Sequence, residues 1–111
     1  MKYIITESQI DKFIFRYINL KNFIKIKKGD DIYFVKSEDD EYAQIKYDGR
    51  YDLCVVHVEL LEDISTFFSL HTAVSRSVIG RWVEHKLFLE TPIKSVINLW
   101  VKNNTELLIP E

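Results

Sequence analysis

The chain holds one cysteine, two prolines and three glycines in 111 residues. A single thiol, Cys54, forms no internal disulfide, so the fold does not depend on an oxidising compartment. Scarce glycine and proline leave little room for long irregular loops. Gly29, Gly49 and Gly80 stand alone. None belongs to a phosphate-cradling GxGxxG or GxxxxGKS/T run, and the GxSxG nucleophile motif is also absent. No window approaches about 18 uncharged apolar residues, so no membrane-crossing helix is expected. The first residues lack the ordered basic, apolar and small-residue zones of a signal peptide. His57, His71 and His85 lie fourteen residues apart in turn, so no helical i, i+4 metal pair exists. Neither a metal nor a cofactor is expected, and no catalytic residue stands out.

What is present points to an ordered domain. Apolar residues make up 47% and aromatics 14%, which argues against disorder. The length fits one domain over residues 1–111. The net charge of −2 is unevenly spread: residues 1–28 carry seven Lys/Arg against two acids, and residues 29–63 carry three against eleven. Two segments of opposite sign can neutralise each other by packing. Otherwise they offer an acidic face to a basic partner, or a basic face to nucleic acid.

Thr6 with Gln9 reads as a capping box, and its place so near Met1 reads as the uncut start of the chain. Ile10, Phe13, Ile14, Tyr17 and Ile18 then follow at i, i+3, i+4, i+7 and i+8, which predicts a helix over about 7–20 with one buried stripe. Phe15 falls off that stripe. Ile24 and Ile26 alternate with lysines, Gly29-Asp30 supplies a turn, and Ile32–Lys36, Tyr42–Tyr47 and Tyr51–Leu60 are further strands. Asp48-Gly49 reads as a two-residue type I′ hairpin turn. The run YDLCVVHVEL suits an interior strand covered on both faces. Helical spacing returns from Leu61, with Ile64, Phe67, Phe68 and His71 on one face, Thr72 as a cap, and a second helix to about Leu87. Thr91-Pro92 followed by Ile93, Val96, Ile97, Trp100 and Val101 favours a helix over 92–102, with an edge strand as the rival. The expected fold is α+β: an N-terminal helix, a four-stranded antiparallel meander, and C-terminal helices on one sheet face.

Cys54 and His57 are three apart on one strand, hence on opposite faces, and cannot pair as nucleophile and base. Glu38, Asp39, Asp40 and Glu41 lack calcium-loop spacing and read as a solvated tip. Lys21, Lys25, Lys27 and Lys28, with Phe23 and Tyr33 available for stacking, form the candidate nucleic-acid contact, although a pI near 5.9 suits such a role poorly. Seven Phe, six Tyr and two Trp are many for so small a core. Phe15, Tyr33, Trp82 and Trp100 are therefore the candidates for partial exposure at a protein interface.

The opening KYIITESQIDKFI, the acidic β-rich middle, FFSL (Phe67–Leu70) and RWVEHKLFL (Arg81–Leu89) form a layout that resembles small uncharacterised proteins of tailed phages and environmental viruses. Such proteins begin with an ITESQ-like segment before a helix, and some end with a W-V-E helix, here Trp82-Val83-Glu84. The resemblance implies a viral origin and supplies no catalytic residues. The expected role is a non-enzymatic accessory or interaction protein, a minor virion component or a modulator of a host system. It would act through a protein partner or self-association, in the host cytoplasm or the virion. Neither a membrane nor a small-molecule substrate is indicated, and nucleic acid is the alternative partner.

Overall fold

The structure, a computed structural model, describes residues 7–99 and 107–110, with side chains from Gln9 to Ile97 and from Leu107 to Pro110. The first helix, α1 (Glu7–Asn19), is the one the N-terminal periodicity predicts. Its expected cap, Thr6, lies outside the described residues. The helix is rolled about its axis relative to expectation. Ile14 and Ile18 are fully buried, but Phe13 is 55% exposed and Phe15 packs on the core. The cause is α3 (Thr72–Lys86). Its Arg81 donates to Asp11 through Nε at 2.7 Å and Nη2 at 2.9 Å, and its His85 ring lies 5.9 Å from Phe15. Asp11 and Phe15, about one turn apart, are thereby turned toward α3, and Phe13 rolls outward.

Strands β1 (Ile24–Lys28), β2 (Asp31–Val35), β3 (Ile45–Asp48) and β4 (Leu53–His57) form the antiparallel meander in chain order. Gly29 takes φ +62° in the first turn, where Lys28 pairs with Asp31. The second hairpin falls where Asp48-Gly49 places it but is longer than a type I′ turn. It runs through Gly49–Asp52, with the positive φ at Asp52 (52°).

The tail corrects the expected four-stranded sheet. Ser95–Leu99 is a fifth strand, β5, and pairs in parallel with β4, Cys54 opposite Val96 and Val55 opposite Ile97. A helix over 92–102 is thus replaced by the rival strand. Both periodicities exist in that segment, and β-branched Val96 and Ile97 favour the pleated one. Buried β4 also needs a partner for its outer backbone groups, which β5 supplies. A parallel pair requires a long crossover, here α2 (Val58–Phe67) and α3. Helix α2 begins at Val58, not Leu61, because a continuous apolar run does not mark where strand gives way to helix.

The helices among the described residues, α1, α2 and α3, pack on one sheet face. Ile14 and Ile18 of α1, Leu61 and Ile64 of α2, and Val78, Ile79 and Val83 of α3 close over Phe34, Ile45, Cys54 and Val56. On the far face Tyr33, Val35, Ala43 and Val55 are covered with Leu107, and Ile109 packs beside them.

Candidate functional site

Rolling α1 outward creates a surface that its apolar stripe does not announce. Phe13, Tyr17 and Leu20 follow at i, i+4 and i+7, so they share one side of the helix and its end. Phe13 is 55% exposed and Leu20 72%. From α2, Phe67, 64% exposed, sets its ring 4.4 Å from Tyr17, and Phe68 meets Tyr17 edge-on at 5.4 Å. Two further contacts fix Tyr17: its hydroxyl donates to Asp63 Oδ1 at 2.9 Å, and Lys21 stands 4.7 Å over its ring while bonding Asp63 Oδ2 at 2.6 Å. Burial, then the bond to Asp63, raises the Tyr17 phenol above its usual range. Partial burial alone would raise the Asp63 carboxyl, but the bonds from Lys21 and Tyr17 prevail and hold it below the usual carboxylate range. The ridge Phe13–Tyr17–Leu20–Phe67 is therefore apolar, aromatic and pre-organised.

Its two flanks differ in sign. Beside Phe13, Gln9, Lys12 and Arg16 line a concavity of about 340 Å³. Beside Phe67, Glu59, Glu62, Asp63 and Thr66 line one of about 420 Å³.

The residues singled out from sequence do not gather into one site. Tyr33 is 2% exposed on the far sheet face, and Trp82 is 3% exposed on the helix side, so neither has the expected exposure. Phe15 is half-buried against α3, and Trp100 lies outside the described residues. Trp82 forms the floor of a cleft of about 300 Å³, with Phe23, Phe34, Lys25 and Lys86 around it. Its rings meet Phe34 at 5.0 Å and Phe23 at 6.3 Å, and its Nε1–H donates to Asn19 Oδ1 at 3.0 Å. Those neighbours occupy the indole, which leaves no face for a stacked base. Lys25, Lys27 and Lys28 are exposed on edge strand β1, whereas Lys21 is engaged with Asp63.

His57 closes β4 and caps α2: its Nδ1 accepts from the Glu59 N–H at 3.1 Å. His71, expected on a helix face, instead caps α3 through Nδ1 and the Ala73 N–H at 3.2 Å. Burial depresses the His57 imidazole below its ordinary value. A depressed folded-state value means that the unfolded chain takes up the proton first. The His57 contribution to stability is therefore full above about pH 6.5 and falls as the pH drops below it. A chain carrying His57→Asn keeps a cap acceptor and loses the titration. Its urea midpoint is expected to fall less between pH 7.5 and pH 5.5 than that of the unaltered protein, and an equal fall would refute the assignment.

His57 also lines an open cleft of about 470 Å³ with Lys36, Gln44, Glu59 and the Asp39–Glu41 loop. Among the described residues no group of three His, Cys, Asp or Glu side chains is arranged to hold a metal ion. Cys54 is in the helix-side core, and burial pushes its thiol up to about 12, so it is not a thiolate near neutrality.

No family model, curated protein or solved structure matches the chain. Among the described residues no helix is long and apolar enough to cross a membrane. Sequence reasoning missed Phe13, Leu20 and Phe67 because α1 carries two overlapping apolar sets. Ile10, Ile14 and Ile18 with Phe15 compete with Phe13, Tyr17 and Leu20, and only the α3 contact decides which faces inward. The Asp11–Arg81 pair was the available signal, since an acid beside the buried stripe asks for a cation.

Proposed function

We propose that the protein is a non-enzymatic interaction module that binds a protein partner through the Phe13–Tyr17–Leu20–Phe67 ridge. One observation carries the reading: three large apolar side chains, each more than half exposed, lie around a tyrosine locked in place from beneath. Rigid aromatic anchors lose little conformational freedom on binding and are the usual centres of protein interfaces. The resemblance to phage-encoded proteins supplies the setting, a virus accessory acting in the virion or on a host system. Nucleic acid is the weaker alternative. Lys25, Lys27 and Lys28 offer charge, but of the two rings expected to stack Tyr33 is buried on the far sheet face, and Phe23 is half-buried with its ring 6.3 Å from Trp82.

The test is a photo-crosslinker at position 20, compared with one at position 27, in cells that produce the protein. Protein adducts are expected at position 20 and not at position 27. The double change Phe13→Ser/Phe67→Ser should reduce adduct yield at least about tenfold, since anchor residues each contribute roughly 1–2 kcal/mol or more. Both rings are more than half exposed, so the variant should stay folded, with a melting temperature lowered by no more than about 4–8 °C for the lost Phe67–Tyr17 contact. Equal adducts from the double variant would sink the ridge as the binding surface.

A further inference from the structure

Resting on that ridge reading, we infer that its partner is a second copy of this chain, docked about a two-fold axis that runs along the ridge. The surface is its own complement. Lys12 and Arg16 lie along one flank, Glu59 and Glu62 along the other, and the apolar side chains stand between them. None of these four charges has an ion-pair partner among the described residues. A half-turn about an axis along the ridge lays each copy's basic flank on the other's acidic flank. Both contacts form at once, as an isologous pair requires. The same rotation presents each Phe13 to the partner's acidic concavity and each Phe67 to the partner's basic one. An axis across the ridge would set like charge on like, which selects against that register. A net charge of only −2 opposes self-association weakly.

The test is sedimentation across a concentration series to about 1 mM, at low and high salt. The unaltered chain should dimerise, and less tightly at high salt. K12E/R16E and E59K/E62K should each be weakened at least about tenfold, because each sets acid on acid or base on base twice over. Mixed one to one, they should form a heterodimer, since every flank again meets its opposite. The chain carrying all four changes should recover its own dimer. Glu59→Lys is unfavourable in the first turn of a helix. E62K alone therefore replaces E59K/E62K if the double variant melts early. A monomer at every concentration, or a mixture that fails to restore dimers, overturns the inference. If that monomer still gives the position-20 adduct with another protein, the ridge reading stands and only its self-pairing falls. A dimer that persists in Phe13→Ser/Phe67→Ser does not use the ridge and refutes the self-pairing there, whereas the ridge reading itself falls only if the position-20 adduct survives that double change.

Discussion

Trp82→Ala is expected to lower the free energy of unfolding by about 3–5 kcal/mol, the cost of deleting a buried indole and leaving its cavity. The side chain is 3% exposed, with Phe34 at 5.0 Å and Phe23 at 6.3 Å. It also ties α3 to the end of α1, donating to Asn19 at 3.0 Å. Removing it exposes Ile18 and Phe34, which line the same cleft, and loosens a helix that Phe15 and the Asp11–Arg81 pair also join to α3. The milder change Trp82→Phe keeps an aromatic ring and loses the N–H. Since the Asn19 side chain can turn to water, that step should cost only about 1–2 kcal/mol. Urea midpoints for the three proteins give the ordering directly. If Trp82→Ala unfolded at the same urea concentration as the unaltered chain, Trp82 would have to be a surface residue, as its candidacy for an interface supposed.

The ways in which sequence and structure part company share a physical pattern. Local chemistry was legible: Gly29-Asp30 turns the chain, Ile24 and Ile26 alternate into a strand, and Ile14 with Ile18 marks the inward side of α1. The α+β class and the antiparallel meander follow from such signals. What was illegible depends on contacts far apart in sequence. Phe13 and Phe15 are equally good core residues by composition, and Arg81, seventy positions from Asp11, decides between them. His71 has no local mark of a helix cap, because imidazole is a rare acceptor there compared with Ser, Thr, Asp or Asn. Residues 95–99 satisfy both helical and strand spacing, and the open edge of β4 settles the matter. The ridge is the furthest from view. It needs α1 rolled outward and α2 laid beside it, so Phe67 and Tyr17, fifty residues apart, become visible as neighbours only after folding.

Gly80→Leu tests the placement of β5 against α3, and a loss of about 3 kcal/mol or more is expected. A Cβ placed on Gly80 would sit 2.6 Å from Val96 Cγ2, with the other Val96 carbons at 3.7 and 3.8 Å. Val96 is β-branched and stiff about its first torsion, so it has no long flexible end to swing aside. The added atoms must push β5 away from α3 or bend α3 from the sheet. Overpacking of this kind costs about 1–3 kcal/mol for a small insertion and more for a large one. Gly80→Ala separates the steric cost from helix propensity. Alanine gains about 1 kcal/mol over glycine in a helix interior. A net loss on Gly80→Ala therefore means that the clash exceeds that gain. The same change made with Val96→Ala removes the offending methyl groups, so the double variant should be more stable than the sum of the single losses. A coupling of about 1 kcal/mol or more is expected for residues in contact. Strictly additive effects would mean that Val96 does not lie against Gly80. They would return residues 92–102 to the helix that their i, i+3, i+4 spacing favours, and leave the outer edge of β4 without its partner strand.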